Sequence, residues 1–357
     1  MTTNQKVLKS YHVIFLVQSI MFSTGVLSLP QRLSSMGYSQ IWVPILFGVI
    51  TSLLLWPMMW IGTKYQDKNL FYINEDLLGK WVGKFINILI VLHFIIFATA
   101  ITSHYMELIE TTALQEQTIT IPLILFLLLI VYLVNGGIKN IARFCILAFF
   151  ITIPMVYFLR WSIAEGDVSH FFPLFNFTSG QFFKAMDQGY YVVLGYELLL
   201  IYFPYIINQK KAYRDGLIGV WISVSLYFLT VIVSVMYFSE WQLKNIEFSV
   251  LHLFKATEFS FAERIDIVGI TLWIFLVLTT VGGYAWAAKK GIGSIVPKYR
   301  NYFIYIITLI IFGIVTSPYS HEYLERIFII SYRFGYFLLI WPLLLIIVFN
   351  LRKKGRR

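Results

Sequence analysis

The sequence predicts an all-α integral membrane protein with about ten transmembrane helices. Of its 357 residues, 59% are hydrophobic and only 13% are charged, whereas a soluble globular domain carries roughly 25% charged residues. One membrane helix takes about 20 apolar residues, so the apolar part of the chain is sufficient for ten crossings. We therefore expect a single transmembrane domain over residues 1–357 and no separate soluble domain.

Apolar runs set the positions of the expected helices, which we call spans 1 to 10. They cover residues 11–34, 41–63, 85–109, 120–137, 141–160, 183–207, 215–239, 265–288, 301–317 and 327–350. The first run follows Lys6 and Lys9, as in a secretory signal, but it is long and no small-residue cleavage site follows it. We therefore expect it to be retained as span 1.

Two connections between spans are long enough to form structure of their own. Residues 65–84 place Leu70, Ile73 and Leu77 at helical intervals, which favours a helix lying at the membrane interface. Residues 240–264 are expected to form a short helical cap over the outer side of the bundle. For both segments an ordinary connecting loop is the alternative.

The net charge of +10 is attributed to orientation in the membrane, and no nucleic-acid partner is expected. Most of the 28 Lys and Arg residues lie at span ends that face one side when the N-terminus is placed inside. Cytoplasmic loops of membrane proteins are enriched in Lys and Arg. Both termini are therefore predicted to be cytoplasmic, with the lipid bilayer as the surrounding medium.

Spans 1 and 6 each contain residues that interrupt a regular helix. Span 1 has Gly25 near the membrane midplane and Pro30 five residues later, and span 6 contains Gly189, Gly195 and Pro204. Proline lacks a backbone donor and cannot continue a regular helix. Both spans are therefore expected to be broken.

The paired breaks predict a ligand site at the membrane midplane. Two sets of five helices, at about 11–160 and about 183–350, put spans 1 and 6 at equivalent positions, as in transporters built from inverted repeats. Unwound backbone exposes amide and carbonyl groups, and a helix N-terminus favours a ligand carboxylate. The alternative is that these glycines and prolines only pack or kink the helices.

Three spans carry polar side chains that could line such a site. Glu197 lies near the middle of span 6, where a carboxylate is costly unless it is protonated, paired or hydrated. It could hold a ligand amine, carry a coupling proton or brace the broken helix. Thr280 and Tyr284 of span 8 share one helix face, and Thr99 of span 3 is added on geometric grounds. Interhelical packing is the alternative for these hydroxyls.

The sequence offers little support for an enzyme. It contains no HExxH zinc helix, no GxSxG elbow and no Walker-type phosphate loop. The single cysteine, Cys145, excludes a disulfide framework within the chain and a thiolate metal cluster. We therefore expect no catalytic residues, no cofactor and no metal site.

Several short motifs together resemble one protein family. TGVLSLP in span 1, DLLGKWVGK before span 3 and GYELLLIYFPY in span 6, in a chain ending RKKGRR, are similar to the B subunits of nutrient-germinant receptors of spore-forming bacteria. These subunits resemble the amino acid, polyamine and organocation transporter superfamily. The resemblance covers essentially the whole chain, and it implies a LeuT-like fold of two five-helix inverted repeats.

The resemblance also implies a location, partners and a pocket. Such a subunit lies in the spore inner membrane with a larger A-type membrane subunit and a C-type lipoprotein, and it senses a small nutrient such as an amino acid. The ligand-binding residues implied by the matching motifs are Gly25, Leu27, Tyr196, Glu197, Leu199, Thr280 and Tyr284. Permeases of the superfamily often have GxG at the first break, whereas this chain has one glycine, in Ser23-Thr24-Gly25.

Two functions require the same pocket, and composition does not separate them. One is a ligand-gated receptor subunit, in which nutrient binding shifts the balance between two helix arrangements and triggers germination through the partner subunits. The other is a proton-coupled amino-acid transporter of the same fold. A scaffold that retains a vestigial pocket is a third possibility. The family-like motifs favour the receptor.

Overall fold

A computed structural model describes residues 6–113, 118–257, 265–296, 302–317 and 321–354. The chain is all-α, as predicted. In chain order the helices are α1 (Ser10–Met21), α2 (Gly25–Leu33), α3 (Val43–Lys64), α4 (Leu70–Leu78), α5 (Lys80–Thr112), α6 (Thr120–Asn135), α7 (Ile138–Thr152), α8 (Leu159–Glu165), α9 (Ser179–Gly189), α10 (Leu199–Tyr202), α11 (Ala212–Tyr237), α12 (Glu240–Asn245), α13 (Ser249–Lys255), α14 (Ile265–Ile295), α15 (Phe303–Val315) and α16 (His321–Lys354).

Each predicted span contains helix in the structure. Six helical stretches of the described chain are long and apolar enough to cross a membrane: Gly25–Lys64, Lys80–Thr112, Ile138–Glu165, Gln209–Tyr237, Ile267–Ile295 and Glu325–Lys353. Shorter apolar helices are Ser10–Met21, Thr120–Asn135 and Phe303–Val315. Span 5 is longer than predicted, because α7 continues through a 3-10 turn at Ile153–Phe158 into α8.

The first span is broken, but not at Pro30. α1 ends at Met21 and α2 begins at Gly25, so the break consists of residues 22–24. Pro30 lies inside α2, where it removes only the one backbone hydrogen bond that its missing N–H would donate to Val26. Membrane helices tolerate such a loss. The expectation that Pro30 cannot continue the helix was therefore wrong, whereas the expected break beside Gly25 is present.

The sixth span is broken into several short pieces, as predicted. α9 ends at Gly189, Gly195 has a φ of +125°, and a 3-10 turn at Phe203–Tyr205 contains Pro204. The positive φ favours glycine. A Cβ atom on Gly195 would also lie 2.9 Å from the backbone carbon of Ile20. The two broken spans therefore touch each other through their backbones.

α1 lies at the centre of the helix bundle. It packs between α11 and α7 and also contacts α14. The approach is close, because a Cβ on Gly219 of α11 would lie 2.5 Å from the Ile14 carbonyl oxygen, and one on Gly283 of α14 would lie 2.8 Å from Ile20. Large apolar side chains such as Leu53, Leu128 and Leu309 are exposed on the outside of the bundle. This distribution suits a protein surrounded by lipid.

The connection between spans 2 and 3 forms the helix expected there. α4 begins after Asn69, whose side chain accepts a hydrogen bond from the Tyr72 backbone N–H and so caps the helix. Behind α4, the Asn74 amide donates to Asn87 at 2.8 Å and accepts from the Trp341 indole at 3.0 Å. This buried network ties α4 to α5 and α16.

The outer connection after span 7 is also helical in the part that the structure describes. α12 and α13 follow α11 directly, and α13 packs against α2 and α14. Residues 258–264 of the expected cap lie outside the described residues.

The segment before α1 pairs with the end of the sixth span. The backbone N–H groups of Val7 and Leu8 donate to the Tyr205 carbonyl at 2.8 and 2.9 Å, and the Ile207 N–H donates to the Leu8 carbonyl at 2.9 Å. Leu8 and Ile206 form a parallel β-bridge. The segment before α1 is thereby fixed to the segment after α10.

Candidate functional site

A cavity of about 350 Å³ lies beside the first break. Its volume falls within the range of roughly 300–1,000 Å³ that is usual for small-molecule sites. The walls come from the first break, α2, α5, the end of α9 with the turn after it, α14 and α16. The polar side chains that line it are Ser23, Thr24, Ser28, Arg32, His104, Asp187, Gln188, Tyr190, Tyr191, Thr280, Glu325, Tyr332 and Arg333.

The first break offers hydrogen-bond donors to this cavity. Ser23, Thr24 and Gly25 line it. The Val26 and Leu27 N–H groups donate to the Ser23 and Thr24 carbonyls at 3.5 and 3.0 Å, which leaves the Gly25 N–H at the start of α2 without a backbone acceptor among the described residues. Ser23 is 6% exposed, and its hydroxyl has no hydrogen-bond partner in the described protein. A buried hydroxyl without a partner is unfavourable. A ligand with an acceptor group at this position would satisfy these donors.

Tyrosine and phenylalanine side chains form the wall around this break. The Tyr191 hydroxyl donates to the Gly25 carbonyl at 3.3 Å and lies 3.0 Å from the Ser28 hydroxyl. The Tyr332 ring contacts both Tyr191 and Phe97, with ring centroids 5.6 and 5.7 Å apart. The cavity therefore combines backbone donors on one side with aromatic faces on the other.

Two threonines connect α14 to the end of α1. The Thr280 hydroxyl lies 3.2 Å from the Ser19 carbonyl and 3.1 Å from the Ile20 carbonyl, and the Thr279 hydroxyl donates to Ser19 at 3.1 Å. These carbonyls lie in the last turn of α1, where carbonyl groups have no N–H donor within the helix. The threonines therefore stabilise the broken end of α1, and Thr280 also lines the cavity.

A tyrosine of α11 joins the two breaks. The Tyr227 hydroxyl lies 2.7 Å from the Met21 carbonyl and 2.8 Å from the Val192 carbonyl. Met21 ends α1 and Val192 belongs to the turn after α9. Tyr227 is fully buried, so its hydroxyl links the backbones of spans 1 and 6 away from solvent.

The Glu197 carboxylate is hydrogen-bonded within the protein and does not line the cavity. One carboxylate oxygen accepts from the Gly195 N–H at 2.6 Å, and the other accepts from the Tyr284 hydroxyl at 2.5 Å. Glu197 is 5% exposed. Since both oxygens are occupied, the geometry favours bracing of the broken helix among the three roles considered for Glu197.

The cavity lining carries charges of both signs. Its ionisable side chains with Arg, His, Asp or Glu identity are Arg32, His104, Asp187, Glu325 and Arg333. The Asp187 carboxylate accepts from the Tyr336 hydroxyl at 2.9 Å. Among the described side chains, no group of three or more His, Cys, Asp or Glu residues could hold a metal ion.

The predicted ligand residues separate into two groups. Gly25 and Thr280 line the cavity. The others are buried between helices behind its wall: Leu27, Thr99, Tyr196, Glu197, Leu199 and Tyr284. The Thr99 hydroxyl donates to the Ile95 carbonyl of its own helix at 2.8 Å. A direct ligand contact stays a prediction for all eight residues.

Sequence reasoning missed most of the polar lining. Gly25, Ser28 and Arg32 follow one another at helical spacing and share the cavity face of α2. This short polar stripe in an apolar span was the available signal. Tyr191, Tyr227 and Tyr332 gave no comparable signal, because tyrosines are frequent throughout this sequence.

Sequence comparisons with known proteins all point to one protein family. A family model described as "Spore germination protein" matches residues 7–323. Spore germination protein GerQB of Bacillus cereus is 25% identical over 304 residues, which cover 85% of this chain and 84% of that protein. Spore germination protein A2 of Bacillus subtilis is 25% identical over 292 residues, or 80% of each chain.

A solved structure has the same fold. Mhp1, a nucleobase-cation-symport-1 family transporter in a closed conformation with bromovinylhydantoin bound, superposes with a TM-score of 0.66 over 92% of this chain and 77% of that chain. The sequence identity is 11%, so the match concerns the fold alone. It confirms the predicted transporter-like architecture.

Proposed function

Because this chain belongs to the spore germination protein family, we propose that it is a B-type subunit of a nutrient-germinant receptor. It binds a small nutrient in the cavity at the helix breaks and thereby triggers germination. One observation carries this proposal: the unpartnered Ser23 hydroxyl lies beside the start of α2 at Gly25, at a cavity of ligand size.

The proposed nutrient is an amino acid. Its carboxylate accepts hydrogen bonds from the start of α2 and from Ser23, where the helix dipole favours negative charge. Its ammonium group lies against the aromatic faces of Phe97 and Tyr332, which attract cations. Thr280 positions the end of α1 below the ligand. Glu197 and Tyr284 act indirectly by holding the second break.

In this proposal, ligand binding shifts the arrangement of the helices that line the cavity. The cavity walls come from α2, α5, α16 and the broken sixth span. A ligand that bridges them favours the arrangement in which they are close together. In the proposed receptor, an A-type membrane subunit and a C-type lipoprotein in the spore inner membrane respond to that shift. No catalytic step is involved.

A proton-coupled amino-acid transporter is the second candidate. The transporter fold of the Mhp1 match favours it. A transporter must open the cavity to both sides in turn, whereas a receptor needs only two states with different ligand affinity.

The two candidates are distinguished with purified protein in proteoliposomes under an inward proton gradient. Each labelled proteinogenic amino acid is tested for label bound to protein and for label accumulated in the lumen. We expect saturable binding without accumulation. Accumulation that collapses when the gradient is removed would identify a transporter instead.

Two substitutions test the position of the pocket. Gly25→Ala would place a Cβ 2.8 Å from the Tyr191 ring, and Thr280→Leu would remove the hydroxyl from the Ser19 and Ile20 carbonyls. Each should weaken amino-acid binding at least about tenfold, or roughly 1.4 kcal/mol. Binding is measured by titration of the purified variants.

Matched controls are available for both substitutions. A Cβ on Gly313 meets no atom within 4 Å, and Thr271 lies on the exposed side of α14. Gly313→Ala and Thr271→Leu should leave binding unchanged. If Gly25→Ala and Thr280→Leu lower the amount of protein in the membrane but not the affinity of the remaining protein, these residues serve packing and the pocket assignment fails.

A further inference from the structure

We propose that Arg32 recognises a second acidic group on the ligand, so that the cavity prefers an acidic amino acid to a neutral one. This inference rests on the proposed function, because it concerns the same cavity and names the class of amino acid. It assigns specificity to a residue at the outer end of α2, about two turns beyond the break.

Arg32 is held on the cavity side of α2. Gly25, Ser28 and Arg32 are spaced by three and four residues, and all three line the cavity. Side chains at this spacing lie along one helix face. A ligand that starts at the break and extends outward along α2 therefore passes Ser28 and reaches Arg32.

The Arg32 guanidinium is not neutralised within the described protein. Its Nε atom is buried and has no hydrogen-bond partner there. The ion pairs of the described residues are Lys68 with Asp76, Arg214 with Asp215 and Lys244 with Glu240. A buried guanidinium nitrogen without an acceptor favours a ligand that supplies one, and a carboxylate matches the guanidinium geometry best.

The acidic residues near the cavity mouth do not take this role in the structure. Asp187 binds the Tyr336 hydroxyl. Glu325 lies on the exposed side of α16, and neither carboxylate is within ion-pair distance of Arg32 among the described contacts. The positive charge of Arg32 is therefore available to a molecule inside the cavity.

The two anion-binding positions have a spacing that suits a small dicarboxylic amino acid. Thr24 and Arg32 are eight residues apart, which corresponds to about 12 Å along a helix. Helical side chains tend to lean toward the N-terminus, and a ligand of this length requires the Arg32 side chain to extend toward the break in that way. A glutamate-sized ligand, with one carboxylate at the break and the other near Arg32, fits within about 350 Å³.

The test compares two ligands of nearly equal shape and different charge. Binding of L-glutamate and L-glutamine to the purified full-length protein in nanodiscs is measured by titration calorimetry. We expect L-glutamate to bind at least tenfold more tightly than L-glutamine. In Arg32→Gln this ratio should fall to about one, mainly through loss of L-glutamate affinity.

Two further variants separate recognition from structure. Arg32→Lys keeps the positive charge and should retain a reduced preference for L-glutamate. Arg160→Gln is the matched control, because Arg160 is exposed on α8 and contacts Tyr157 and Trp161 rather than the cavity. Its ratio of affinities should equal that of the unchanged protein.

The outcomes distinguish this inference from the proposed function. If L-glutamine binds as tightly as L-glutamate to the unchanged protein, the role of Arg32 is overturned and the amino-acid receptor proposal stands. If Arg32→Gln weakens both ligands equally, Arg32 shapes or closes the cavity and does not select its ligand. If no amino acid binds, both proposals fail.

Discussion

The two broken spans are held together by single side chains that bind carbonyl and amide groups left free by the helix ends. Thr280 binds the carbonyls at the end of α1, Glu197 binds the Gly195 amide, and Tyr227 contacts a carbonyl from each break. These side chains supply hydrogen-bond partners to backbone groups that are buried at the helix ends. The breaks are therefore preformed parts of the fold.

Tyr227→Phe tests the link between the two breaks. The substitution removes the hydroxyl from the Met21 and Val192 carbonyls while keeping the ring. We expect a loss of about 1–2 kcal/mol in stability and a several-fold loss of ligand affinity, because the cavity wall is no longer fixed. Thermal unfolding in detergent and ligand titration measure the two effects.

Tyr105→Phe is the control for this substitution. The Tyr105 hydroxyl is buried and donates to the Ile270 carbonyl at 3.1 Å, away from the breaks. It should lower stability by a similar amount and leave ligand affinity unchanged. Equal effects of the two variants on affinity would contradict a specific role for Tyr227.

Among the helices, α16 connects the cavity with the short helix α4. Tyr332 of α16 lines the cavity, and further along the same helix Trp341 donates to Asn74 of α4. Arg352 donates to the Asp76 carbonyl. A displacement of α16 by the ligand would therefore be transmitted to α4 through these hydrogen bonds.

Trp341→Phe tests this attachment of α4. It removes the indole N–H from the buried Asn74 side chain, which should cost about 1–1.5 kcal/mol locally. Amide hydrogen exchange across Leu70–Leu78 should then become roughly tenfold faster. Trp81→Phe is the control, since Trp81 is 88% exposed, and unchanged exchange in both variants would contradict the attachment.

Sequence patterns predicted the helices better than they predicted the site. Each apolar run contains helix in the structure, and the helical spacing of Leu70, Ile73 and Leu77 predicted α4, because burial in lipid or against a neighbour requires those periods. The glycine at position 195 predicted the second break, and in the structure it has the positive φ that favours glycine. The first break lies beside Gly25, as predicted. Pro30 does not end a helix, because α2 tolerates the loss of one backbone hydrogen bond.

The cavity residues were harder to predict because they depend on which helix faces meet. Arg32 and Tyr332 come from α2 and α16, far apart in the sequence, and only the folded chain brings them to one cavity. Glu197 was identified correctly as a buried carboxylate, but its partners Tyr284 and the Gly195 amide are set by tertiary packing. Composition and periodicity do not encode such pairings.

Considered as a whole, the molecule gathers both described chain ends at one side. Val7 and Leu8 bind the Tyr205 carbonyl, and Arg352 binds the backbone of α4. The lysine-rich ends of several helices lie on this side according to the predicted topology. We expect this side to face the cytoplasm.

Cysteine labelling tests the orientation. Cys145 is fully buried, so an introduced surface cysteine can be labelled selectively. A membrane-impermeant maleimide should label Lys353→Cys only from the cytoplasmic side and Trp241→Cys, on α12, only from the other side. Reversed labelling would overturn the predicted topology.

The pairing between the segment before α1 and the end of the sixth span limits how this end of the bundle can move. The Val7, Leu8 and Ile207 N–H groups make three backbone hydrogen bonds that join the start of span 1 to the end of span 6. A transporter that opens the cavity at this end must move both paired segments together or break all three hydrogen bonds in every transport cycle. A receptor that responds only on the opposite side of the membrane does not have to break these hydrogen bonds, and they can stay formed in both of its states.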